Sequence, residues 1–155
     1  DKYTWVDLGS NFMASELQAA HLCAQLEAAD RIQAMRQEIW RRYHEALRGW
    51  AARHDVRTPV VPAWSEHPAH CYYLVMPTAE SRQRLIAHLG DRGILAVFHY
   101  QALNVSDMGQ RYGGRPGDCP RAEALSGRLV RLPLFAGMTS GDVDRVIDAV
   151  LGVRP

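Results

Sequence analysis

No proline or glycine falls between Ser15 and Arg48, and that uninterrupted stretch constrains the fold more than any other feature. "SELQ" opens it as a capping box: the Ser15 hydroxyl can accept from the Gln18 amide while the Gln18 side chain reaches back. Glu16 lies at the positive end of the helix dipole. Leu17, Ala20, Ala24, Ala28, Ile32, Met35, Ile39 and Tyr43 recur at helical spacing. The first half, "LQAAHLCAQLEAA", is apolar nearly all round, which requires burial on several sides. The second half, "RIQAMRQEIWRRYHEALRGW", carries one apolar and one charged face. The spacing predicts one helix over about 15–48, roughly 50 Å long. A helix of that length in a chain of 155 residues props up something larger than itself.

Beyond it, "VRTPVVPAW" reads as a short edge strand or an extended linker. "HCYYLVM", "ILAVFHY" and "LVRLPLF" read as strands from their aromatic and β-branched content. Thr78 caps a helix over 79–89, with Leu85, Ile86 and Leu89 inward and Gly90 at its end. The glycines of residues 101–118 predict a loop with a short helical turn. Pro120 opens a short helix, "PRAEALSGR". Thr139 or Ser140 caps a last one, with Val143, Val146, Ile147, Val150 and Leu151 on one face. This order gives an α+β fold: a small, mostly antiparallel sheet covered by helices on one face.

Hydrophobic residues make up 47% and charged residues 23%, an ordinary globular balance for one domain. The net charge of +1 leaves no electrostatic footprint for nucleic acid. No apolar run reaches the ~18 residues of a membrane span, and no signal-peptide pattern is present. Three cysteines without a CxxC pair argue against a disulfide framework and for a reducing cytoplasm.

Candidate chemistry is sparse. "HPAHC" gathers His67, His70 and Cys71, but its spacing matches no strong zinc pattern; a loop His67 and a strand-start His70 bonded to backbone explain it as well. His99 and Tyr100 end a strand beside a glycine-rich loop, a common site position, yet no partner for acid–base work is legible. "GRPGDCP" lacks a phosphate-loop pattern, and Cys119 lacks a nucleophile motif. "DLGSNF" sets Ser10 and Asn11 before a capped helix, chemistry suited to a phosphate and equally to a plain capping turn.

The opening segment resembles that of the DegT/DnrJ/StrS sugar aminotransferases, whose form is G-x-N-x-R-M-x-E-x-Q-A-A followed by a Q-L pair. Gly9, Asn11, Glu16, Gln18, Ala19, Ala20, Gln25 and Leu26 match it. "AHCYYLV", "GILAVFHYQAL" and "CPRAEALSGRLVRLPLF" follow in the family's order. The resemblance implies the C-terminal part of a fold type I enzyme that uses pyridoxal 5'-phosphate (PLP): an active-site loop over 1–14, a linking helix over 15–50 and a small α+β domain over 51–155. The PLP-binding domain and its Schiff-base lysine would lie upstream. It implies a cytoplasmic bacterial homodimer with shared active sites, in which Asn11, with Ser10, meets the phosphate of the partner's PLP. Lys2, Tyr3, Trp5, His99 and Tyr100 are then the substrate contacts. "DKYTWVD" and "AVFHY" most resemble members that aminate a dTDP-4-keto-6-deoxyhexose with L-glutamate as donor. Met13 replaces the family's Arg and Ala14 its Met, a departure that bears on substrate choice. A lysine-lacking relative serving as sensor or assembly module, and a free-standing binding domain, are the other readings.

Overall fold

A computed structural model describes residues 12–154. The expected long helix is two: α1 (Glu16–Glu27) and α2 (Ala29–Arg53), separated at Ala28. The capping box is present, with Gln18 N donating to Ser15 Oγ at 3.3 Å and Ser15 N donating to Gln18 Oε1 at 2.9 Å. Neither glycine nor proline marks the seam. The Ala28 amide turns back to the Leu26 carbonyl, and Asp30 occupies the first turn of the new helix. No residue of α1 is buried, so no packing holds it in line with α2.

α2 runs past Gly49, where a stop was expected, to Arg53. Trp50 and Ala51 are buried, which outweighs the ~1 kcal/mol glycine costs in a helix. The turn is made instead by Asp55, at φ 54°.

Three short strands follow: β1 (Tyr72–Val75), β2 (Val97–Phe98) and β3 (Leu129–Leu132). Their order is β1-β3-β2 and every pairing is antiparallel, with Tyr73 and Val97 both opposite Arg131. The predicted β2 is cut to two residues: Leu95 is exposed, and His99 has already left the ladder. "VRTPVVPAW" contributes one bridge, Arg57 to Val75, and otherwise runs as an extended connection with Trp64 exposed.

The remaining helices are α3 (Ala79–Gly90), α4 (Asp107–Arg111), α5 (Pro120–Ser126) and α6 (Ser140–Leu151), with a 3-10 turn at Leu103–Val105. Thr78 and Thr139 each close a capping box, on Ser81 and Asp142.

Alternation puts Tyr72, Leu74, Val130 and Leu132 on one sheet face. There they meet Tyr43 and Leu47 of α2, Leu85 and Leu89 of α3, and Val143 and Val150 of α6 in one core. Each such side chain contributes ~1.5–3 kcal/mol when fully buried. Specific bonds fix the helices. Tyr43 Oη donates to the Pro133 carbonyl at 2.9 Å, and Trp50 Nε1 donates to the Val153 carbonyl at 3.0 Å. Arg42 pairs with Asp144, joining α2 to α6. His88 Nε2 lies 3.1 Å from the Ala149 carbonyl, joining α3 to α6. Among the described residues no helix is long and apolar enough to cross a membrane.

Candidate functional site

His99 and Tyr100 extend beyond β2, and both are exposed. Their rings meet edge to face, with centroids 5.2 Å apart at 65°. The Arg131 guanidinium stands 5.8 Å from the Tyr100 ring centroid, a cation–π distance. On the other side a cleft of about 400 Å³ is lined by Arg82, Phe98, His99, Gln101, Val105 and Glu123. Arg82 donates to the Ser126 carbonyl at 3.1 Å and lies 6.0 Å from the Phe98 ring, so α3 and the end of α5 form one wall.

The opposite wall is a loop whose order comes from Glu123. Its carboxylate accepts from Asn104 Nδ2 at 2.6 Å, from the Gly117 amide at 2.9 Å and from the Cys119 amide at 3.2 Å. The Asn104 bond first, then the Gly117 amide, holds this carboxyl below the usual carboxylate range. The amides of "GRPGDCP" that could have cradled a phosphate are therefore filled from within. Asn104 also donates to the Arg115 carbonyl at 2.8 Å. The close turns need glycine: a Cβ on Gly109 would sit 1.7 Å from the Leu103 carbonyl oxygen.

The histidine cluster resolves into packing. Among the described residues no three His, Cys, Asp or Glu are placed to hold a metal ion. His67 Nδ1 accepts from the Ala69 amide at 3.2 Å, and its ring lies 4.4 Å from Trp40. Trp40 stacks on His44 at 4.8 Å and 13°. Burial, with Arg48 and His67 adding to it, pushes His44 below the ordinary imidazole value. His70 differs from its expectation of a backbone-bonded ring: Nδ1 lies 3.5 Å from Arg36 Nη2, and the backbone bond is made by its carbonyl, which accepts from Arg36 at 2.9 Å. Cys119 is exposed, and its backbone is what the fold uses: the amide donates to Glu123 and the carbonyl accepts from the Glu123 amide.

Lys2, Tyr3, Trp5, Ser10 and Asn11 lie outside the described residues. The described chain starts at the exposed Phe12 and enters α1, whose Leu17 and Leu26 are 84% and 65% exposed. The requirement that this helix be buried on several sides is unmet among the described residues.

Two residues at this end of the sheet escaped sequence reasoning. Arg131 interrupts the apolar alternation of "LVRLPL", the one visible sign that it faces away from the core. Glu123 sits in the first turn of a proline-started helix, where a dipole role hides its longer-range one.

Residues 1–151 match the DegT/DnrJ/EryC1/StrS aminotransferase family. The erythromycin biosynthesis sensory transduction protein EryC1 of Saccharopolyspora erythraea is 29% identical over 94% of this chain and 38% of its own. S. venezuelae DesV, solved in complex with a ketimine intermediate, superposes with TM-score 0.85 and 28% identity over 97% of this chain and 39% of its own. A DegT DnrJ EryC1 StrS aminotransferase from Brucella abortus gives 0.82 and 29% over 98% and 39%. The chain thus spans under two fifths of the length of these relatives. With its match over residues 1–151 and its α+β fold, the chain belongs to the DegT/DnrJ/EryC1/StrS aminotransferase family.

Proposed function

We propose that this chain is the C-terminal portion of a PLP-dependent sugar-nucleotide aminotransferase, with an active-site loop over 1–14, a linking segment over 15–50 and a small domain over 51–155. The complete enzyme would have the activity of a dTDP-4-amino-4,6-dideoxygalactose transaminase, moving the amino group of L-glutamate to C4 of a dTDP-4-keto-6-deoxyhexose. The observation that carries the reading is α1. A capped helix with Leu17, Leu22 and Leu26 all exposed calls for another protein surface, which a homodimer with an upstream large domain supplies.

PLP, when bound, supplies a carbonyl that takes up and releases the amino group. The chain's one lysine, Lys2, is not in the family's lysine motif, so covalent attachment belongs to the upstream domain. What this chain offers PLP is a polar segment entering a capped helix. Ser10 and Asn11 would bind the phosphate of the partner's cofactor there. His99 and Tyr100, exposed beside their cleft, would bind and orient the sugar nucleotide together with Lys2, Tyr3 and Trp5. The 155-residue piece alone would not transaminate.

The test uses full-length protein. Addition of PLP and then L-glutamate should shift the cofactor absorbance, and a dTDP-4-keto-6-deoxyhexose should restore it while gaining an amine by mass. A protein that takes up PLP yet shows neither change would overturn the transaminase reading. Absence of a lysine at the attachment position would redirect it to a non-catalytic sensor or assembly role.

A further inference from the structure

A cavity of about 310 Å³ lies among Arg36 of α2, His70 and Cys71 just before β1, Val97 of β2, and Arg131 and Pro133 in and just after β3. Its charge is one-sided: two guanidiniums and an imidazole, with no carboxylate in the lining. Neither arginine forms an ion pair with a described residue. Arg36 Nε and Arg131 Nε are both buried with no hydrogen-bond partner. Buried donors are nearly always paired, so these sealed Nε groups show that neither guanidinium is fully satisfied by the described residues; what a ligand could meet is the guanidinium heads at a cavity lined by no carboxylate. Other clefts lack this combination. Arg92 and Arg145 share theirs with Asp144 and Asp148, Arg82 shares its own with Glu123, and Arg48 and Arg57 are exposed to water.

The donors are held in place. Arg36 is anchored on the His70 carbonyl at 2.9 Å. The Arg36 Nη2 group also lies 3.5 Å from His70 Nδ1, which places the imidazole beside the guanidinium at the cavity. Arg131 is fixed by its place between Tyr73 and Val97 in the ladder and by the Tyr100 ring. The cavity is at the lower end of ligand pockets, sized for a small anionic group rather than a whole sugar nucleotide.

We propose that Arg131, Arg36 and His70 form an oxyanion-binding subsite that takes a phosphate or carboxylate group. Arg131 would be its principal donor, reaching the anion on one side while its flat face rests near Tyr100. The site itself does not depend on the transaminase reading; only the identity of the anion does. Under that reading it is the diphosphate of the sugar nucleotide or a carboxylate of the amino donor.

The test measures equilibrium binding of three probes to full-length PLP-bound protein: orthophosphate, dTDP and 2-oxoglutarate. Arg131→Gln should weaken orthophosphate, and whichever of dTDP and 2-oxoglutarate uses the pocket, by about tenfold or more. Arg131→Lys should recover part of the loss, since it keeps the charge without the fork. Unchanged melting would show that the fold survives; Arg36→Gln is avoided as the primary variant because Arg36 also secures the His70 carbonyl. Unchanged affinity for all three probes in Arg131→Gln, or no binding of any by the wild type, overturns the proposal. Absence of the glutamate-induced absorbance change alongside Arg131-dependent orthophosphate binding would sink the transaminase reading and leave the subsite standing.

Discussion

Tyr43 and Pro133 are joined by a 2.9 Å hydrogen bond from phenol to carbonyl, linking the centre of α2 to the chain just beyond β3. Burial pushes the Tyr43 hydroxyl well above the usual phenol range, so it stays protonated and donating at any working pH. Tyr43→Phe should cost about 1–2 kcal/mol by leaving the carbonyl unmet, and Tyr43→Ala about 3–5 kcal/mol through the added cavity. Hydrogen exchange of the β1 and β3 amides checks both, and equal protection in wild type and Tyr43→Phe would refute the first.

Glu123→Gln should loosen the wall of the His99 cleft. The neutral amide keeps an oxygen in the place of Oε1, which accepts from Asn104, Gly117 and Cys119, but loses the charge and the second Gly117 contact at Oε2, so the Gly117 amide above all should exchange faster than in wild type while β3 is unaffected. Because the folded carboxyl is depressed, its stabilisation is present above the ordinary carboxylate value and lost as pH falls through the folded one. The wild-type loop should therefore open in acid, and the variant should show no such step.

Gly114→Ala should destabilise the same loop by about 1–3 kcal/mol, the cost of overpacking. The added Cβ would lie 2.8 Å from the Asn104 carbonyl oxygen and 2.9 Å from its Cα, which are backbone atoms with little room to yield. Limited proteolysis across residues 104–119 would register the change, and wild-type resistance would contradict it.

His44 should make the fold sensitive to mild acid. Around it stand Arg48 and Glu45 of its own helix, Trp40 stacked on its ring, His67 from the following loop and Tyr72 of β1. A depressed folded value means the unfolded chain takes the proton more readily, so stability drops as pH falls below about 6.5 toward that value. Above that pH, His44 contributes no slope. His44→Phe should abolish its share of the drop, seen by comparing melting at pH 7.5 and pH 5; identical pH profiles would refute it.

Leu26→Glu should weaken assembly of the full-length dimer about tenfold, the loss expected from one leucine contact, if α1 meets the partner as proposed. Sedimentation over a concentration series measures it, and an unaltered dissociation constant would place α1 elsewhere.

Local chemistry was the legible part of this chain. Ser15, Thr78 and Thr139 announced three helix starts because a cap involves residues only three apart. Strand centres followed from Tyr72–Val75 and Leu129–Leu132, while strand lengths did not: Val97–Phe98 pairs only with Arg131 and Val130, short of both ends of β3. The seam at Ala28 was hidden because composition there favours helix throughout, and among the described residues nothing buries α1 to hold it in line. At the site, the exposed His99 and Tyr100 could be read from a strand meeting a glycine-rich loop. Arg36 and Arg131 could not, because 95 positions separate them in the chain and only the packing of α2 against the sheet brings them to one cavity.

Every fully shielded side chain among the described residues lies at or beyond Ile39. The Ala28 seam is thus a natural cutting line: a shortened version starting at Ala29 would shed its greasiest outer spoke without disturbing the hub. For anyone wishing to handle the domain beyond α1 by itself, the scissors belong there.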